Sequence, residues 1–437
     1  MAAPSIKGNR KCRRVWWFHP LPVLSHTSSH QQAMQLYINA SSNLSLEMKT
    51  EVELPAFMGT HRVFLAAVIF FLPIAAAAAP VDFNYPAIFN FGDSNSDTGE
   101  LVAGLGEILD PPYGQTYFLR PAGRFGDGRL ILDFLADAMG LPFLNAYLES
   151  VGAQSFVKGC NFAAAGSTIL PATATSVSPF SFGIQVAQFF HFKQRVIELL
   201  AKGNKFKKYV PAADFFNQGL YMFDIGQNDL AGAFYSKSED QVIASIPTIL
   251  FEFETGVKKL YDQGARRFWV HNTGPLGCLA QNIAQFGRDS SKLDEFGCVS
   301  SHNHAAKLFN LQLHALCAKL QAQFVDANVT YVDVFMIKSD LIANYSRYGF
   351  EHPIAACCGY GGLPLNYDSR IRCGQTKTLD GSSVTAKGCN DSADYISWDG
   401  IHYTDAANQH VSSQILTGKY SDPPFADRMP FLLKLKF

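Results

Sequence analysis

Residues 84–420 predict an α/β fold, a parallel sheet of about five strands with helices on both faces. Three observations carry that expectation. Short apolar runs of strand length alternate with longer stretches whose apolar residues recur at helical spacing. Several of the short runs break at once into small polar residues, as strands of an open parallel sheet do at their carboxyl ends. No internal repeat and no Pro/Gly/Ser-rich linker divides the stretch, so one domain is expected. Alternation of this kind requires right-handed crossovers between parallel strands.

The first strand, Pro86-Ala-Ile-Phe-Asn-Phe91, drops into Gly92-Asp-Ser-Asn-Ser-Asp-Thr-Gly99 and leaves Ser94 at a strand end. A loop carrying Pro111-Pro-Tyr-Gly114 and Arg124-Phe-Gly-Asp-Gly-Arg129 leads to an amphipathic helix over 130–139, stopped by Gly140. Residues 159–167 read as a short buried strand entering a small-residue loop. Val186, Phe189, Phe190, Val196, Ile197 and Leu200 keep near helical period over 184–201. The strand over 219–225 ends in Gly226-Gln-Asn-Asp229. A long helix over 238–263, a strand over 267–271, the turn Asn272-Thr-Gly-Pro-Leu-Gly-Cys278, a helix over 301–324 and a last strand over 329–335 follow. Residues 340–395 have little period and four cysteines, so they read as a disulfide-pinned excursion before Trp398-Asp-Gly-Ile-His402.

Composition limits the function classes. The chain has 437 residues, 48% of them hydrophobic, and a formal charge of -1, which gives a polyanion nothing to bind and argues against nucleic acid. Its 36 Phe are unusually many, and some of them are candidates to line a pocket rather than fill core.

Residues 1–57 lack period and are set aside as a leader that is disordered or not translated. Met58-Gly-Thr-His-Arg62, an apolar run and then Ala75 to Ala79 have the order of a signal peptide over 58–79, with translation expected to start at Met58 and the main domain at 80–437. The apolar run is shorter than the ~20 residues that span a bilayer, so no integral membrane span is expected. The expected destination is the extracellular space or cell wall, with the vacuole as an alternative, and the expected state is a monomer.

Secretion makes the cysteines readable as disulfides. Spacing suggests that Cys278 and Cys298 close one loop and the 357–389 group another, while Cys317, on an apolar helical face, reads as free. No Cys-x-x-Cys pair accompanies His302-Asn-His304, so neither a metal nor another cofactor is expected. Asn328, Asn344 and Asn390 begin sequons and are candidate glycosylation sites; Asn39 and Asn43 lie before the signal.

Three strand ends and the loop at 398–402 together fit acyl transfer. Ser94 can attack, His402 can take its proton, and Asp399 can fix the imidazole tautomer. The backbone N–H groups of Ser94 and Gly166 and the amide of Asn228 could form the oxyanion hole. Each has a plainer reading as turn, cap or chance pair, but the set is far less expected by chance than its parts. Position 96 is Ser, so the Gly-x-Ser-x-Gly nucleophile elbow is absent.

These blocks resemble the plant GDSL esterase/lipase family of the SGNH hydrolases, in the branch similar to early nodule-specific proteins. The resemblance runs over about residues 84–420 and rests on Gly92-Asp-Ser-Asn-Ser-Asp-Thr-Gly99, Asn161-Phe-Ala-Ala-Ala-Gly166, Gly226-Gln-Asn-Asp229, Gly274-Pro-Leu-Gly-Cys278 and Asp399-Gly-Ile-His402. It implies a three-layer, flavodoxin-like α/β/α sandwich and the same roles for Ser94, Gly166, Asn228, Asp399 and His402. Asn95 and Cys160 depart from the family pattern, and the second leaves the pairing of Cys160 open. The expected partner is a small-molecule or polysaccharide acyl ester, with short acyl chains or acetylated sugars leading. An acyltransferase using the same acyl-enzyme and a fucosidase-like glycosidase stay open as alternatives. The glycosidase would draw its carboxylates from Asp93, Asp97 and Asp399.

Overall fold

The computed structural model describes residues 83–151, 154–174 and 176–425. The segment at 58–79, the sequence before it, Asn39 and Asn43 lie outside those residues. Strands β1 (Ile88–Gly92), β2 (Gly159–Asn161), β3 (Leu220–Asp224), β4 (Arg267–His271) and β5 (Asn328–Val332) are parallel, in the order β2-β1-β3-β4-β5. That is the flavodoxin-like order, and it reverses direction between β1 and β3. The helices, in chain order, are α1 (Glu100–Leu105), α2 (Ile131–Ala138), α3 (Phe182–Ala201), α4 (Phe215–Gln218), α5 (Gln227–Ala233), α6 (Glu239–Asp262), α7 (Ala280–Phe286), α8 (Ser300–Gln323), α9 (Val334–Ala343) and α10 (Asp405–Leu416).

Alternation along β1 shows why three layers form. Phe89 and Phe91 join a core with α3, α6 and α8, while Ile88 joins the opposite core with α2, α9 and α10. Phe91 stacks on Phe162 at 5.2 Å and Phe223 at 5.4 Å, and Phe182 stacks on Phe253 at 5.3 Å. Twelve of the phenylalanines are buried in this one core, between the sheet and α3, α6 and α8.

Outside the sheet, β6 (His352–Ala356) pairs with β9 (Tyr395–Ser397), and β7 (Thr376–Leu379) forms a hairpin with β8 (Ser382–Thr385). Disulfides Cys357–Cys389 and Cys358–Cys373 cross-link this excursion, and Cys278–Cys298 closes the loop before α8. Cys317 is free and buried as expected, and so is Cys160. A two-residue strand, β10 (Ser421–Asp422), pairs antiparallel with β5; a run that short carries no readable period.

One boundary differs from the sequence reading. The apolar stretch taken as strand to 335 leaves the sheet at Val332, because Asp333 Oδ1 accepts the backbone N–H of Met336 at 2.9 Å and starts α9 at once. A side-chain cap overrides the β-propensity of Val334 and Phe335. Asn344 and Asn390 are exposed, whereas Asn328 is half-buried as the first residue of β5.

Candidate active site

Ser94 follows β1 and Asn228 opens the chain beyond β3, so both stand at the reversal of strand order, where open α/β sheets bind ligands. The turn carrying Ser94 is fixed by buried polar side chains. Gln185 of α3 clamps Gly92, its Oε1 accepting the Gly92 N–H at 2.9 Å and its Nε2 donating to the Gly92 carbonyl at 2.8 Å. Position 92 must be glycine because a Cβ there would lie 2.4 Å from Ser96 Oγ and 2.7 Å from the Asp224 carbonyl. Asn90 donates to Ser96 Oγ at 3.0 Å and to Asn161 Oδ1 at 2.7 Å. Asp97 accepts four backbone N–H groups, those of Gly99, Glu100, Leu101 and Ala165, at 2.6–3.2 Å. That ties the turn to the loop carrying Gly166, which has φ +72° and would drive a Cβ into Val177.

Asp399 and His402 lie on the loop between β9 and α10. His402 Nδ1 is 2.7 Å from Asp399 Oδ2, and Asp399 Oδ1 accepts the N–H groups of Ile401 and His402 at 3.0 and 2.8 Å. Burial alone would raise the Asp399 pKa, but His402 and these donors hold it below the ordinary carboxylate value. A carboxylate at Nδ1 selects the tautomer that puts the proton there and leaves Nε2 as a lone pair. His402 Nε2 is buried without a hydrogen-bond partner, so no bond joins it to Ser94 Oγ in this state. Long or unformed catalytic hydrogen bonds are common before substrate binds.

Two neighbours that sequence reasoning missed hold this pair. Tyr113 Oη donates to Asp399 Oδ2 at 2.9 Å, and Phe125 lies 5.7 Å from the His402 ring. Both come from the loop between α1 and α2, and nothing local to Pro111-Pro-Tyr-Gly114 marks a residue that meets its partner 286 positions away. Trp398, fully buried, packs edge-on to Tyr113 beside the Cys357 and Cys358 disulfides.

Of the oxyanion-hole candidates, Ser94 and Asn228 line one cavity, and Gly166 is not among its lining residues. Asn228 Nδ2 donates to the Ser167 carbonyl at 2.9 Å and, at a longer 3.3 Å, to Asp93 Oδ2. An oxyanion would have to displace the longer bond. Burial first, and then the carboxylate of Asp224, push Asp93 up toward its neutral form, which weakens it as the competing acceptor. Asp93, Ser94 and Asn228 line a cavity of about 60 Å³ with Gly274, Pro275, Gln281, Asn282, Lys338 and Tyr403, and no phenylalanine lines it. A larger concavity of about 520 Å³, between α8, α9 and β10, holds none of Ser94, Asp399 or His402.

A family model described as GDSL-like Lipase/Acylhydrolase matches residues 88–415, from β1 into α10. The chain belongs to this family. Among curated GDSL relatives, an Arabidopsis thaliana GDSL esterase/lipase is 66% identical over 397 residues, covering 85% of this chain and 97% of the relative. The GDSL esterase/lipase ENOD8 of Medicago truncatula is 43% identical over 348 residues, 78% of this chain and 89% of its own. The Arabidopsis protein named Alpha-L-fucosidase 3 is 44% identical over 341 residues, 77% and 91% of the two chains. As a GDSL esterase/lipase the chain is a serine hydrolase of ester bonds, on the α/β sheet its sequence predicted. No helix among its described residues is long and apolar enough to cross a membrane.

Proposed function

We propose that this GDSL enzyme cleaves carboxylic esters with Ser94 as nucleophile, His402 as base and Asp399 as the partner that fixes the imidazole. The carrying observation is the 2.7 Å contact of Asp399 Oδ2 with His402 Nδ1, which frees Nε2 to accept a proton. Ser94 Oγ bonds to the ester carbonyl carbon while its proton passes to His402 Nε2. The N–H groups of Ser94 and Gly166 and the Asn228 amide stabilise the resulting oxyanion. Collapse expels the alcohol, which takes the proton from His402, and water releases the acid by the same steps in reverse order.

The substrate reading is a short acyl ester, with acetylated sugars of the plant cell wall leading. A cavity of about 60 Å³ is small beside the 300–1,000 Å³ of sites for drug-sized ligands, which supports a short acyl group over a long chain. The signal-like segment at 58–79 supports secretion of an 80–437 domain, and the exposed Asn344 and Asn390 suit glycosylation better than the half-buried Asn328. The protein acts as a monomer in this reading.

The relative named a fucosidase gives the glycosidase alternative its one specific support. Against it, Asp97 is fully buried and saturated by backbone donors, and Asp399 is committed to His402 and Tyr113. Kinetics on nitrophenyl acetate, butyrate, octanoate and palmitate beside nitrophenyl fucoside test both. Highest kcat/KM on the acetate or butyrate supports the reading; fucoside turnover that survives Ser94→Ala would replace it.

A further inference from the structure

The Gly274-Pro-Leu-Gly-Cys278 block and Lys338 have no part in the steps above, yet both stand at the Ser94 cavity. Lys338 extends from α9 with only 3% of its surface exposed. Its Nζ lies 4.4 Å over the Tyr403 ring, and among the described residues it makes no hydrogen bond and no ion pair. The stem runs past Gly274, where a Cβ would come within 3.0 Å of Lys338 Cδ, so the missing side chain at 274 is the space the lysine occupies. Beside it, Asn282 of α7 is fully buried and donates Nδ2 to the Leu276 carbonyl at 2.7 Å. That bond fixes which way the amide points and leaves Asn282 Oδ1 without a partner.

A buried lysine whose ammonium makes no hydrogen bond among the described residues and a buried amide oxygen without a partner therefore line one small cavity next to Ser94. Leaving such groups unpaired is costly, and a group that satisfies both must accept one hydrogen bond and donate another. A hydroxyl does so. A methylene serves neither, and a carboxylate would face the Asn282 oxygen with a second oxygen lone pair. An anion would also meet Asp93 in the same lining, and the charge of Lys338 is already felt by Asp93 and Asp224.

We propose that Lys338 and Asn282 form a hydroxyl-binding subsite, which makes the enzyme select short-chain esters of polyhydroxylated alcohols that keep a free hydroxyl beside the ester. The subsite rests on the ester-hydrolase reading of Ser94 and narrows its substrate class.

The test compares three acetate esters with purified enzyme: a monoacetylated pentoside with a free vicinal hydroxyl, the same compound with that hydroxyl replaced by hydrogen, and an acetylated uronate. Hydrogen bonds to a charged group predict that kcat/KM for the first exceeds the second by about 10- to 100-fold, with the uronate no better than the first. Lys338→Met should bring the hydroxyl-to-deoxy ratio close to one, and Lys338→Gln, which keeps a donor, should retain part of it. The wild-type ratio needs no variant to fold. Equal rates on hydroxyl and deoxy esters would overturn the subsite while leaving the esterase intact, and a preferred uronate would replace it with an anion site. No turnover of any acetate, nitrophenyl acetate included, would instead remove the ester-hydrolase reading beneath it.

Discussion

The two halves of the candidate site are held by different means. The Ser94 half is delivered by ends of parallel strands and locked by neutral and carboxylate side chains that bond backbone: Gln185 on Gly92, Asp97 on the following turn, and Asn161 on the Ser96 carbonyl, with a further bond to the Thr98 hydroxyl. The Asp399–His402 half rides on a loop tied by Tyr113, by backbone bonds from Cys357 and Cys358 to Ser397 and Trp398, and by the disulfides those cysteines make. Packing against an aromatic core makes the first half as stable as the sheet. The second depends on a small satellite core around Tyr113 and Trp398 and on cross-links, so it is the half that local perturbation should release first.

The largest effects separate roles across the two halves. His402→Ala should lower kcat by about 10⁶ and Asp399→Ala by about 3 × 10⁴, following the order measured in another serine hydrolase. Near-normal esterase activity in either variant would dissolve the assignment. Asn228→Ala, on the Ser94 side, should cost roughly 10² to 10³, mostly in kcat, because two backbone donors remain. A change confined to KM would assign Asn228 to ground-state binding instead.

Reduction tests the tether directly. Closing the 15-residue loop of Cys358–Cys373 is worth about 3 kcal/mol, on the order of a 100-fold change in the docked-to-undocked ratio of the segment it holds. Under dithiothreitol, esterase activity should fall while the near-ultraviolet signal of the phenylalanine core persists. Activity and core signal lost together would mean the two regions unfold as one.

Tyr113→Phe is a smaller, sharper probe. Tyr113 Oη shares Asp399 Oδ2 with His402 Nδ1, so removing the hydroxyl loosens the carboxylate that orients the imidazole. At neutral pH kcat should fall about tenfold with KM little changed. An unchanged kcat would make Tyr113 packing only.

How much of this was legible in the sequence follows the same division. Short apolar runs and helical spacing report elements buried in a core, and the five parallel strands and the helices under Phe182, Val242 and Phe309 were readable for that reason. The Asp399–His402 contact and the meeting of Ser94 and Asn228 at one cavity were readable because each residue sits in a compact local motif. Tyr113, Gln185 and Lys338 were not, since each acts across long sequence separations, and Lys338 looks like an ordinary polar residue of an amphipathic helix. The start of α9 was missed because a single capping aspartate decides it.

Buried carboxylates give the smallest effect. Glu100, whose pKa is raised to about 8 chiefly by burial, and Asp93, raised likewise, bind more protons folded than unfolded, so stability falls as pH rises toward those values. His271 and His302, lowered by burial to about 3 and 4, oppose this only below their ordinary 6.5. The melting temperature should therefore fall by a few degrees from pH 6.5 to 8. Glu100→Gln should flatten that slope, and an unchanged slope would show that the buried carboxyls of the Ser94 half do not set it.

The central claim is that Ser94, among many serines, is the one activated by its surroundings. Treatment of the folded protein with a fluorophosphonate, followed by intact mass and peptide mapping, should show a single adduct on Ser94. Ser94→Ala should abolish it, and His402→Ala should slow it by orders of magnitude. An adduct on another serine, or labelling undiminished in Ser94→Ala, would contradict the account.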